Sequence, residues 1–188
     1  MPNVVSNVTA GKPNPTGAIF RAPVGTTLPT DTDAPLDEAF VCLGFCSDDG
    51  VTNAGEMDSE TIKAWGGQTV LVVSTEKPDT FQLTFLEALN ANVLKTVYGD
   101  GNVTENAEAG TISVTSNVAA LEDHVYVIDI AMRGGAMKRI VIPQGELSEL
   151  GDIVYKDDEA VGYDVTVAAN LDSSGNTHYE YIASAPTT

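Results

Sequence analysis

The chain has 188 residues, enough for one domain with a sizeable core plus an arm or large loops. Nine Lys and Arg against 27 Asp and Glu leave a formal net charge of −18, a surface that repels phosphates and disfavours nucleic-acid binding through a basic patch. No apolar run approaches the roughly 18 residues of a membrane helix, and MPNVVSNVTAGKP at the start has neither the basic nor the long apolar region of a secretory signal.

Residues 1–16 are rich in Pro, Asn, Thr and Gly and read as a flexible arm. Gly17–Arg21 is a short strand at most, and 22–38, with prolines and acids and no period, extends the arm to residue 38. Ala39–Cys46 is apolar and strand-like. Residues 47–60 read as an acidic loop with turn signals at Asp49-Gly50 and Asn53–Gly55, and Thr61–Trp65 as an extended run broken by Gly66-Gly67, so 47–67 is expected to be one long acidic loop. Val70-Leu71-Val72-Val73 suits a strand buried on both faces. Phe81, Leu83 and Phe85 alternate with Gln82 and Thr84, which marks a half-buried strand, and the two runs are expected to pair as a hairpin.

Ala91–Tyr98 is the one convincing helix. The Asn90 side chain can cap its start, Val93, Leu94, Val97 and Tyr98 give an apolar stripe, and Gly99 can end it in a left-handed conformation. It is too short to persist alone in water and must lie on a sheet. Strands follow at Thr111–Thr115 and at His124–Met132, the latter with Tyr126, Ile128, Ile130 and Met132 on one face and Val125, Val127 and Asp129 on the other. Gly134-Gly135 signals a hairpin into Ala136–Pro143. Ser148–Val154, the alternating Val161–Val167 and His178–Ser184 complete the pattern, with turns at Lys156–Glu159 and Asp172–Asn176. The fold class is mostly β: a β-sandwich or open barrel of about nine strands with one short flanking helix, in a single domain over 1–188.

Little in the chain is built for chemistry. His124 and His178 are the only histidines, and neither sits in a recognisable nucleophile motif. Carboxylates are too abundant to diagnose a glycosidase. Nucleotide-binding and zinc-protease motifs are lacking, and the acidic clusters at 31–38 and 157–159 do not match a calcium loop. No catalytic residue, cofactor or metal is therefore expected. If Val41–Cys46 is a strand, Cys42 and Cys46 lie about 13 Å apart, too far for a disulfide; if it is not extended, a bond stays open.

Gly44–Gly50 (GFCSDDG), Thr61–Gly67 (TIKAWGG), Thr80–Glu87, the helix ending Val97-Tyr98-Gly99, Lys138–Pro143 (KRIVIP) and Tyr155–Tyr181 occur in an order that resembles the major tail tube proteins of long, non-contractile-tailed phages, particularly those of actinobacterial hosts. The helix start, Asn90-Ala91-Asn92, departs from the Pro of that pattern. The resemblance spans about residues 10–183. It implies a β-sandwich with a flanking helix, similar to the tube protein of type VI secretion, and a structural virion protein that is not an enzyme. It further implies hexameric rings, assembled in the host cytoplasm and stacked into a tail tube that conducts DNA. Partners would be further copies of the chain, a tape-measure protein, and tail tip and tail terminator proteins, with DNA passing unbound and no membrane contact.

Under that resemblance Asp129 and Asp164, which interrupt strands on their less apolar faces, are candidates for the bore. Lys63, Lys138 and Arg139 are candidates to meet a neighbour's acidic 31–60 stretch. The alternative is a non-catalytic decoration or adhesion protein on a virion or cell surface, which would need an aromatic binding face that the lone Trp65 does not supply. A hydrolase on the same scaffold would need a convergent site.

Overall fold

Two long antiparallel strands, β10 (His124–Met132) and β11 (Met137–Leu150), organise the sheet. The computed structural model describes residues 3–15, 17–55 and 58–184. β10 is buried on both faces from Val125 to Ile128, which suits its unbroken apolar sequence. One edge of β10 pairs with β2 (Ile19–Pro23) and then with β1 (Gly11–Pro13). β2 in turn holds the two-residue β3 (Val41–Cys42).

The far edge of β11 is shared between two strands. Residues 137–141 pair with β13 (Tyr179–Ala183), and residues 145–150 pair with β12 (Tyr163–Ala169). Pro143 stands at the changeover, where it and Gln144 oppose the single residue Val125 in a bulge. A proline has no N–H to give a ladder, so a partner switch is a place where a strand interior can hold one. Ala136–Pro143 and the first residues of the expected Ser148–Val154 strand are thus one continuous strand.

β12 pairs with β7 (Asp79–Phe85), and β7 with β4 (Cys46–Gly55). The path of this nine-stranded sheet runs β3-β2-β10-β11-β12-β7-β4 and is not closed, since it ends on the free edges of β3 and β4. The expected β-sandwich or open barrel is therefore found. Phe81, Leu83 and Phe85 of β7, Tyr163, Val165 and Val167 of β12, and Tyr126, Ile128, Ile140 and Ile142 of the central pair fill one core. The helix α1 (Ala91–Tyr98) closes it with Val93, Leu94 and Val97. Asn90 Oδ1 accepts the Asn92 N–H at 2.9 Å, and Gly99 follows at φ 96°, so both ends fall where the sequence puts them.

Three expectations need correction. Residues 47–55 are strand rather than loop: β7 supplies the ladder partners that a polar sequence with Gly50 at φ 77° does not advertise. The run at Val70 belongs to β6 (Thr69–Glu76), which pairs with β5 (Asp58–Lys63) and not with β7. Its side chains are not buried: Val70, Leu71 and Val72 are 54–59% exposed. A further two-stranded piece, β8 (Val103–Asn106) with β9 (Thr111–Val114), follows the helix; only β9 was expected.

Candidate assembly surfaces

Among the described residues the β5–β6 hairpin pairs with no other strand. Gly66 and Gly67, at φ 105° and 88°, make its turn in the left-handed region that favours glycine. Cross-strand partners share a face, so Ile62 and Leu71 lie on one side with Val73, while Val72 lies on the other with Thr61, and Val70 falls at a bulge between paired residues. All five apolar side chains are exposed, and Trp65 at the tip is fully so. An apolar hairpin wetted on both faces is a surface waiting for cover, because burying each Val, Leu or Ile side chain is worth about 1.5–3 kcal/mol.

The hairpin leaves the body at the Gly55/Asp79 end of the β4–β7 pair. Near the opposite end, between the start of β4 and the β1–β10 pair, lies an open groove of about 870 Å³ with Ile19, Val51, Ile128 and Ile130 in its lining and Asp48 and Asp49 at its mouth. Beside it a second hollow of about 490 Å³ gathers Asp48, Asp49, Asp152, Glu159 and Asp164, with Lys156 paired to Glu159 at 2.7 Å.

The structure places the sequence-predicted charges unequally. Asp129 and Arg139 stand directly opposite each other and form a buried ion pair, with both side chains 8% exposed. Arg139 also donates to the Asp31 and Ala34 carbonyls at 3.1 and 2.7 Å, which pins the 24–38 segment over that face of the sheet. The hydrogen bond to Asp129 raises the guanidinium pKa further. Neither group is thus on the solvent side of the subunit: the Asp129 carboxylate is consumed inside one copy, and so is the Arg139 guanidinium. Lys138 is half-engaged, 2.5 Å from Glu180 across β13. Asp164 is partly exposed and accepts from Gln82 at 3.2–3.3 Å. Lys63 is exposed and has no ion pair among the described residues.

Each histidine serves a structural cluster. His178 Nδ1 lies 2.5 Å from Asp79 Oδ2, which also accepts the Thr177 hydroxyl at 2.6 Å, while Asn53 donates to the other oxygen at 2.7 Å. Burial raises the Asp79 pKa, but the hydrogen bonds from Thr177, Asn53 and His178 and the His178 charge outweigh it and hold the carboxyl below its usual value. His124 Nε2 accepts from Arg21 Nη1 at 2.8 Å, so the proton is on Nδ1, which donates to the Glu122 carbonyl at 2.9 Å. Arg21 Nη2 reaches Asp100 at 2.5 Å. Sequence reading missed both clusters because the links that build them, Arg21–Asp100, Asp79–His178 and Arg21–His124, span 79, 99 and 103 residues.

These surfaces belong to a scaffold that presents apolar and anionic faces. Residues 6–188 match the family described as phage tail tube protein. The chain belongs to the phage tail tube protein family. A comparison with curated proteins finds no match. Tail tube membership makes the subunit a structural component of the virion tail that assembles with itself into a tube. Among the described residues no helix is long and apolar enough to cross a membrane, and no three His, Cys, Asp or Glu residues are grouped to hold a metal ion.

Proposed function

We propose that this tail tube subunit forms hexameric rings, that the rings stack head to tail, and that the resulting pipe conducts DNA to the host cell. The observation that carries this reading is the β5–β6 hairpin, apolar on both faces and uncovered in the isolated subunit. A contact between different surfaces of identical copies does not close on itself along an axis, so it propagates. The free edge of β4 supports strand-to-strand closure around the ring in the same way.

The charge fits a conduit. DNA carries about one negative charge per 1.7 Å of its axis, and a basic wall would hold it. An anionic wall lets it slide, within a screening length of about 8 Å at physiological salt. Asp164, with Asp152 and Glu159 around the same hollow, is proposed to face the bore. Asp129 drops out of that role because its carboxylate is neutralised by Arg139. A tape-measure protein would fill the bore before DNA, and tip and terminator proteins would cap the two ends. The extended segment up to residue 38 and the 47–67 region are proposed to carry inter-subunit contacts, the first around β2 and the second through the hairpin.

Electron microscopy of the concentrated purified protein tests the reading. The wild type should form tubes, and a Val70→Thr, Leu71→Thr, Val72→Thr variant should stay as folded monomers or single rings. Tubes of undiminished length from that variant would refute the role of the hairpin.

A further inference from the structure

The hairpin and the groove lie toward opposite ends of one strand pair. β4 and β7 run antiparallel, with Gly55 opposite Asp79 at the end that emits the hairpin and Cys46 opposite Phe85 at the end that borders the groove. From Asp58 to Trp65 the extended chain projects about 25 Å. Its tip presents an indole that is fully exposed and, two residues before it, an amine without an ion pair among the described residues. The groove presents the complement: an apolar lining and two exposed carboxylates, Asp48 and Asp49, at its mouth. Lys12 also lies on the rim, and Asp129 in the lining is already neutralised by Arg139, so the mouth is left with a net negative charge. At about 870 Å³ the groove lies within the range of about 300–1,000 Å³ that receives bulky ligands, and so has room for an indole.

We infer that this groove is the socket for the hairpin tip of a second copy: Trp65 enters it, and Lys63 pairs with Asp48 or Asp49 at its mouth. The inference rests on the head-to-tail stacking proposed above and specifies which surfaces meet. A large aromatic anchor in a pocket, ringed by polar contacts, is the usual form of an interface hot spot. It also accounts for Trp65, which supports nothing inside its own subunit.

The test uses tubes assembled from equal amounts of isotope-labelled and unlabelled wild-type protein, treated with a carbodiimide that joins an amine directly to a carboxylate. The expected product is a mixed-label peptide pair linking Lys63 to Asp48 or Asp49. Trp65→Ala, which removes a side chain that is fully solvated in the subunit, should keep the fold and raise the protein concentration needed for assembly at least about tenfold. Lys63→Asp should act in the same direction, and adding Asp48→Lys with Asp49→Lys to it should restore assembly. Tubes in which Lys63 links only to other carboxylates, or Trp65→Ala assembly at the wild-type concentration, would overturn the socket while leaving stacking intact. A wild type that forms no tube at any concentration would overturn the stacking reading and this inference with it.

Discussion

Asp129 and Arg139 form a two-pronged ion pair across the β10–β11 ladder, with Nε to Oδ1 at 2.6 Å and Nη2 to Oδ2 at 2.8 Å. The planar guanidinium matches the carboxylate as a fork, and both side chains are 8% exposed. Removing either partner leaves the other charged and buried. Arg139→Ala and Asp129→Ala are each expected to cost about 3–5 kcal/mol, a large share of the stability of a single domain. Urea denaturation of both single variants and the double variant measures this. The cycle should return a coupling of at least about 1 kcal/mol, and additive losses would show that the pair is not acting as one. Charge reversal at Arg139 is thus expected to damage the monomer, not only the tube.

Asp79 makes stability depend on acid. Its folded-state pKa lies below the unfolded value of about 3.9, so the folded state favours the ionised form. That contribution is complete above the unfolded pKa and is lost as pH falls through the folded pKa. Asp79→Asn should therefore lower stability at neutral pH, and its deficit against the wild type should shrink below about pH 4. Thermal unfolding at stepped pH measures it; a deficit that stays constant down to pH 2 would assign the loss to packing alone.

Gly145 is fixed by packing. A Cβ there would sit 2.7 Å from the Tyr126 ring and 2.8 Å from Val167. The position adjoins the Pro143 bulge, where β11 passes from β13 to β12. Gly145→Ala is expected to destabilise by about 1–3 kcal/mol through overpacking. Calorimetry should show a lower Tm, and an unchanged Tm would mean that the Tyr126 ring moves aside without strain.

The helix start gives a local control. The Asn90 side chain accepts the Asn92 N–H at 2.9 Å and donates to Glu87 at 2.9 Å. Asn90→Ala should cost about 1 kcal/mol, measured by urea denaturation. No loss of stability would mean that Glu87 or water takes over the cap.

The elements that could be read in the sequence are those whose determinants are local. Asn90 and Gly99 bracket the helix, and the alternation Tyr163, Val165, Val167 marks β12 because one face meets the core and the other does not. β4 could not be read, because its ladder comes from a strand about 30 residues downstream and its own side chains are mostly polar. The Asp129–Arg139 pair was missed by one residue. Both strands were expected, but a two-residue turn at Gly134-Gly135 would set Asp129 against Ile140, whereas the observed turn holds three residues, Arg133–Gly135, and so puts Asp129 against Arg139. Val70–Val73 misled for a different reason. An apolar run signals burial without saying whether the cover is the same chain, and in this subunit the run is exposed.

A reconstruction of the assembled tail tube by electron cryomicroscopy tests the central claim most directly. The account predicts rings of six subunits, with Val70, Leu71, Val72 and Val73 of each copy buried against other copies in the neighbouring ring. A tube in which these four side chains remain in solvent along the wall would contradict it.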